Sequence, residues 1–161
     1  MSTLSYLLSR ELVAEVVSDL EAVIMVYVRR NDAKGGHLAV GSLDGEFFDW
    51  FEVGSPDPIT FTIARSKLEV TLEHQKPTDQ VPLAARRKGQ TIFSGSDYEP
   101  EFRFGVAFSG ASEVDDKLIS QQARHRIAPR LAALQADLEE DIQERRARGE
   151  KIRFLGDEMA Q

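Results

Sequence analysis

The chain has 161 residues, of which 42% are hydrophobic and 29% charged, and a formal charge of -7. That length suits one domain with a continuous core, the composition is too apolar for a disordered chain, and the acidic balance argues against nucleic acid as a partner. Cysteine is missing altogether, which excludes disulfides, thiolate nucleophiles and the common structural zinc sites.

Leu4, Leu8, Leu12, Val16 and Leu20 step by four, and Val13 and Val17 widen the stripe, so the spacing predicts a helix over 3–20. Arg10, Glu11, Glu15 and Asp19 interrupt its apolar content. The segment therefore reads as neither a signal-peptide core nor a membrane span, and the expected location is the cytoplasm. "AVIMVYVRR" (22–30) and "HLAVGSL" (37–43) are rich in β-branched residues and flank "NDAKGG" (31–36), which predicts a hairpin. "GEFFDWFEV" (45–53) is read as a third strand in preference to an aromatic loop lying on the sheet. "ITFTIARSKLEVTLEHQ" (59–75) follows Pro56 and Pro58 as a helix capped near Asp57. "KPTDQVPLAARRKGQ" (76–90) contains Pro77 and Pro82 and is expected to be loop with one short helical turn.

"TIFSG" (91–95) and "FRFGVAFSG" (102–110) read as strands joined by the polar "SDYEPE" (96–101), and the Phe-Ser-Gly that ends each is ascribed to turn chemistry. A last helix is expected from a Ser112 cap with an acidic first turn, kinked or restarted at Pro129. Beyond it, Ile127, Leu131, Leu134, Leu138 and Ile142 form a narrow stripe read as a packing seam, and its contiguous apolar face predicts a homo-oligomer. "LEEDIQERRARGEK" (138–151) is read as a solvated face, with Asp141–Arg145 and Glu144–Arg148 spaced for ion pairs.

Motifs of the large enzyme classes are missing. There is no GxGxxG, GxxxxGK[ST] or GxSxG, and His37, His74 and His125 form no HxH or HxxxH pair that would mark a metal site. No catalytic residue is identified, and a metal site would have to be assembled by the fold alone. His37, taken by itself, follows a Gly-Gly turn and reads as a strand-start residue held by a backbone hydrogen bond.

Three segments in order, "GGHLAVGSLDG" (35–45), "ARSKLEVTLEHQKPT" (64–78) and "FGVAFSGASEVDDKLI" (104–119), resemble the GlcG/HbpS-like family, which also occurs as the C-terminal domain of PduO-type proteins. Gly35, Gly36, His37 and Leu38 match its turn, and Ala64 and Lys67 its helix. Pro77 and Thr78 match the end of that helix, and Ser109, Gly110 and Asp116 the last element. The resemblance implies an α+β fold: a single domain with a mostly antiparallel, profilin-like sheet flanked by helices, over residues 1–128, with residues 129–161 as an extra C-terminal helical extension.

It also implies a small-ligand-binding, oligomeric accessory protein whose ligand is haem or a corrinoid. His37 or His74 would be the axial donor, and Phe47, Phe48, Trp50 and Phe51 the apolar slot. Lys67 enters the ligand-binding set through a second reading, an enzyme acting on a small organic acid, with Lys67 and His37 as cationic and acid/base groups. A non-catalytic assembly scaffold is the third. The chain departs from the family pattern at "RRKGQTIFSGSDYEPEFR" (86–103), which stands where relatives carry a glycine-rich segment, and at His74, where an aromatic residue is usual. Such differences alter pockets more than cores.

Overall fold

A computed structural model describes residues 7–151. The element order is α1 (Arg10–Arg30), β1 (Gly35–Ser42), β2 (Phe48–Gly54), α2 (Ile59–His74), two short 3-10 turns (Thr78–Gln80 and Leu83–Ala85), β3 (Ser96–Glu99), β4 (Phe104–Ser109) and α3 (Glu113–Ala147). The four strands form one antiparallel sheet in the order β2-β1-β4-β3. One face packs on α1 and α3 through the larger core, which includes Val16, Leu20, Ile24, Leu38, Phe104, Phe108 and Ile127. The opposite face is covered by α2, through Ala39, Ala64, Leu68 and Ala107. The α+β fold with an antiparallel sheet is thus the observed one.

The first predicted hairpin is not formed. "AVIMVYVRR" is the second half of α1, because Leu20, Ile24 and Val28 prolong the four-residue stripe of Leu12 and Val16 into the core. Its other β-branched residues face outward, Val23 and Val26 being exposed. Helical periodicity and packing override the local β-propensity. The helix starts at Ser9, whose hydroxyl accepts from the Leu12 amide at 3.1 Å. Leu4 lies outside the described residues.

β1 instead pairs with β2, so the aromatic segment is the strand it was read to be. Gly35 and Gly36 belong to β1 and have no positive φ. They are required by close approach: a Cβ on Gly36 would lie 2.3 Å from the Phe108 ring, and one on Gly35 2.3 Å from the Val53 carbonyl oxygen.

The third strand in the sheet is "SDYE", not "TIFSG". Ile92 and Phe93 are exposed, whereas all of Ser96–Glu99 is buried. Burial of so polar a strand is made good by Arg124, which donates to Asp97 at 3.0 Å and Glu99 at 3.1 Å. The two Phe-Ser-Gly segments end in Gly95 (φ 132°) and Gly110 (φ 155°), in keeping with turn chemistry. α3 begins on Ser112, which accepts from the Asp115 amide at 3.1 Å, and runs without a break through Pro129. Of its stripe, Ile127 and Leu131 are used by the chain's own core and Ile142 is buried, while Leu138 is half-buried and Leu134 exposed. Asp141 and Arg145 pair as spaced, whereas Arg148 pairs with Glu150.

Candidate functional site

α2 lies over the central strands and leaves the same face of the edge strand β2 open. Side chains alternate along a strand, so the aromatic run is divided. Phe51 points into the core, while Phe48 and Trp50 stand half exposed beside α2. Phe48 and Trp50 have ring centroids 6.0 Å apart, and Trp50 and Phe61 of α2 5.1 Å. His37 closes the row, edge-on to Phe61 at 5.7 Å. The aromatic slot anticipated at Phe47, Phe48, Trp50 and Phe51 is therefore a shelf of Phe48, Trp50 and Phe61. Phe61 was not among the sequence candidates because it lies on another element.

His37 is 5% exposed, and its hydrogen bonding is directional. The Thr60 hydroxyl donates its proton to the Asp57 carbonyl at 2.8 Å. It can then only accept from His37 Nδ1, which lies 2.7 Å away. Nδ1 therefore carries a proton, and in the neutral ring the lone pair is on Nε2. Nε2 looks toward Glu52, 3.5 Å away on the neighbouring strand, whose side chain is 67% exposed. The partner holding the ring is thus a threonine side chain on α2, not the backbone group expected from the turn.

Lys67 and Asp116 meet in the interior, as the two motifs that carry them had no local reason to do. Lys67, 1% exposed, donates to Asp116 Oδ2 at 2.9 Å and to the Phe108 carbonyl at 2.8 Å. Asp116 Oδ1 accepts from the Ala111 amide at 2.8 Å. Burial pushes the Lys67 ammonium below its ordinary pKa and the Asp116 carboxyl above its own, and the attraction between them opposes both shifts. The pair ties α2, β4 and α3 together and floors a cleft of about 320 Å³ lined by Ile63, Phe93, Ser109, Ala111, Ser112 and Glu113. Gly95 is a glycine because a Cβ there would lie 2.5 Å from Asp116 Cβ and 2.7 Å from Lys67 Nζ. Thr78, the threonine of the Pro-Thr motif, accepts from the Gly95 amide at 3.1 Å and fixes the same corner.

His37 and Ser109 are cross-strand partners, so the histidine and the Lys67 cleft occupy the same end of the sheet. His74 does not join them. It sits at the far end of α2, roughly 20 Å along the axis from Thr60 at 1.5 Å per residue, with Nε2 3.2 Å from the neighbouring Glu73. Among the described residues no group of three or more His, Asp or Glu could hold a metal ion, and no helix is long and apolar enough to cross a membrane.

Sheet, helices and corner define the chain as an α+β domain with helices on both faces of a four-stranded antiparallel sheet. No family model matches the sequence, and none of the curated proteins does. Solved structures share the fold, and two of them are the following. One is Klebsiella pneumoniae protein ORFY, assigned to DUF336, with a TM-score of 0.51 and 15% identity over 70% of this chain and 88% of that one. The other is a PduOC:haem complex, with a TM-score of 0.54 and 16% identity over 74% of this chain and 94% of that one. The resemblance read from the three sequence segments is borne out in the fold.

Proposed function

We propose that this is a small-ligand-binding protein and that its ligand is a haem-class tetrapyrrole ligated by His37. The observation that carries the reading is the imidazole itself. Nδ1 is spent on Thr60, Nε2 points to Glu52, whose side chain is largely exposed, and the ring lies at the end of a row formed by Phe61, Trp50 and Phe48. A ligating histidine is ordinarily oriented by such a hydrogen bond on its other nitrogen. An aromatic shelf supplies the apolar contact a porphyrin plane requires. Bound there, the iron would supply an axial coordination site for the imidazole. Glu52 is the side chain that covers Nε2 and has to swing outward, which its exposure permits. A structural neighbour crystallised with haem supports the same ligand class.

Lys67 as the clamp of an organic acid has less to support it. Its ammonium is spent on Asp116 and the Phe108 carbonyl, and an incoming carboxylate would compete with a buried one.

Trp50 is the sole tryptophan and lies in the shelf, so its fluorescence reports directly on occupancy. Titration with haemin is expected to quench it saturably at one haem per chain, with a matching Soret shift. Glu52→Ala, which uncovers Nε2 and removes a charge facing anionic propionates, is expected to bind more tightly. Quenching without saturation, or without response to either His37→Ala or Glu52→Ala, would mean adsorption to apolar surface and would overturn the reading.

A further inference from the structure

The geometry points to a second binding site, for a small dianion of the phosphate-monoester class, between the outer face of α2 and the 86–91 loop. The cleft there has a volume of about 340 Å³ and is lined by Thr62, Arg65, Ser66, Glu69, Arg87 and Lys88 among others. Arg65, Arg87 and Lys88 stand there with two carboxylates, Glu69 in the lining and Glu73 against Arg87, an excess of positive charge in a protein whose net charge is -7.

Only one of the three is neutralised. Arg87 reaches Glu73 at 2.8 Å and Glu69 at 3.4 Å, and Glu69 is further held by the Gln90 amide at 2.8 Å. Arg65 and Lys88 have no carboxylate within ion-pair distance among the described residues. Arg65 and Lys88 therefore offer two charge-assisted donors to a ligand carrying several anionic oxygens.

The loop carrying Lys88 is built rather than slack. The Arg86 guanidinium donates to the Thr78 carbonyl at 2.7 Å and the Thr91 carbonyl at 2.9 Å. The Gln90 side chain accepts from the Arg87 amide at 2.8 Å. The Thr91 amide donates to the Ser66 hydroxyl at 2.8 Å, which leaves the hydroxyl proton free for a ligand oxygen. Gly89, at φ 91°, has no atom within 4 Å of its absent Cβ, so the mouth stays open. This loop is also where the sequence departs from the family it resembles, and the site stands independently of the haem reading.

The test is 1H–15N shift mapping of the full chain at low ionic strength, with inorganic phosphate and phenyl phosphate as probes. Saturable shifts are expected at Ser66, Gly89 and Gln90. Combined Arg65→Ala and Lys88→Ala should weaken binding about tenfold or more, as loss of two charge-assisted contacts implies. Lys34→Ala, a cation elsewhere on the surface, should leave binding within about twofold. Both arginine and lysine are exposed, so the double variant keeps its core. Absence of saturable shifts, an unchanged response in the double variant, or an equal response to acetate would overturn the site. Tighter binding of succinate than of either phosphate would overturn the ligand class.

Discussion

A single buried ion pair, Lys67 with Asp116, holds together the corner on which the candidate sites are built. Removing one partner strands the other charge in a place that water does not reach. Lys67→Met is therefore expected to lower the unfolding free energy by about 3–5 kcal/mol, measured by urea denaturation. A loss under about 1 kcal/mol would show that Asp116 finds compensation elsewhere. Asp115, next in the chain, behaves differently. Its carboxylate is held by the Arg30 guanidinium, with Nε at 3.0 Å from Oδ2, and by Asn31 at 2.8 Å. The hydrogen bond from Arg30 holds its pKa below the ordinary 3.8. A lowered carboxylate pKa means that the unfolded chain takes up the proton first on acidification. The contribution is present above pH 3.8 and is lost as pH falls toward the folded value. Asp115→Asn should remove that part of the acid limb, read from denaturation curves between about pH 3 and pH 7. Parallel pH profiles for the two proteins would contradict it.

At the scale of elements, the glycines of "KGGHLAV" are the clearest case. They were legible as unusual, but the reason lies in packing and not in a turn. Gly36→Val would drive a β-branched side chain into the Phe108 ring and the Ser109 carbonyl, 2.3 and 2.5 Å from the Cβ position. A cost of about 1–3 kcal/mol is expected from overpacking, seen as a lower Tm. A wild-type Tm would mean that β1 and β4 are not in register there. The β1–β4 pairing joins segments some seventy residues apart, and no local pattern announces it. Local pattern reveals α2 through its apolar spacing and the start of α3 through the Ser112 cap and acidic first turn. It fails at "AVIMVYVRR", where one face continues the helical stripe while exposed valines imitate a strand. It fails again at "SDYE", whose burial depends on Arg124 from the last helix. Of the site, His37 and Lys67 could be named from motifs. Thr60, Phe61 and Glu52 could not, because each reaches His37 only through tertiary packing.

For the whole molecule, α1 and α3 close one face of the sheet completely, while α2 leaves the aromatic shelf open on the other. The outer half of α3 carries a second exposed apolar position, although Ile142 there is buried. Leu134 is exposed and Leu138 half-buried there, beyond the residues that pack into the chain's own core. A homo-oligomer with this helix as its seam is expected. Light scattering at micromolar concentration should give at least a dimer, and Leu134→Glu with Leu138→Glu should yield monomer. A monomeric wild type would contradict it.

The shelf and its histidine are the centre of the functional account, and axial ligation is its sharpest consequence. The direct measurement is the electron paramagnetic resonance and Soret spectrum of the ferric complex at one haemin per chain, for wild type, His37→Ala and His74→Ala. The account predicts an imidazole-ligated signature shared by wild type and His74→Ala and lost in His37→Ala. A wild-type spectrum retained in His37→Ala, or abolished only by His74→Ala, would contradict it.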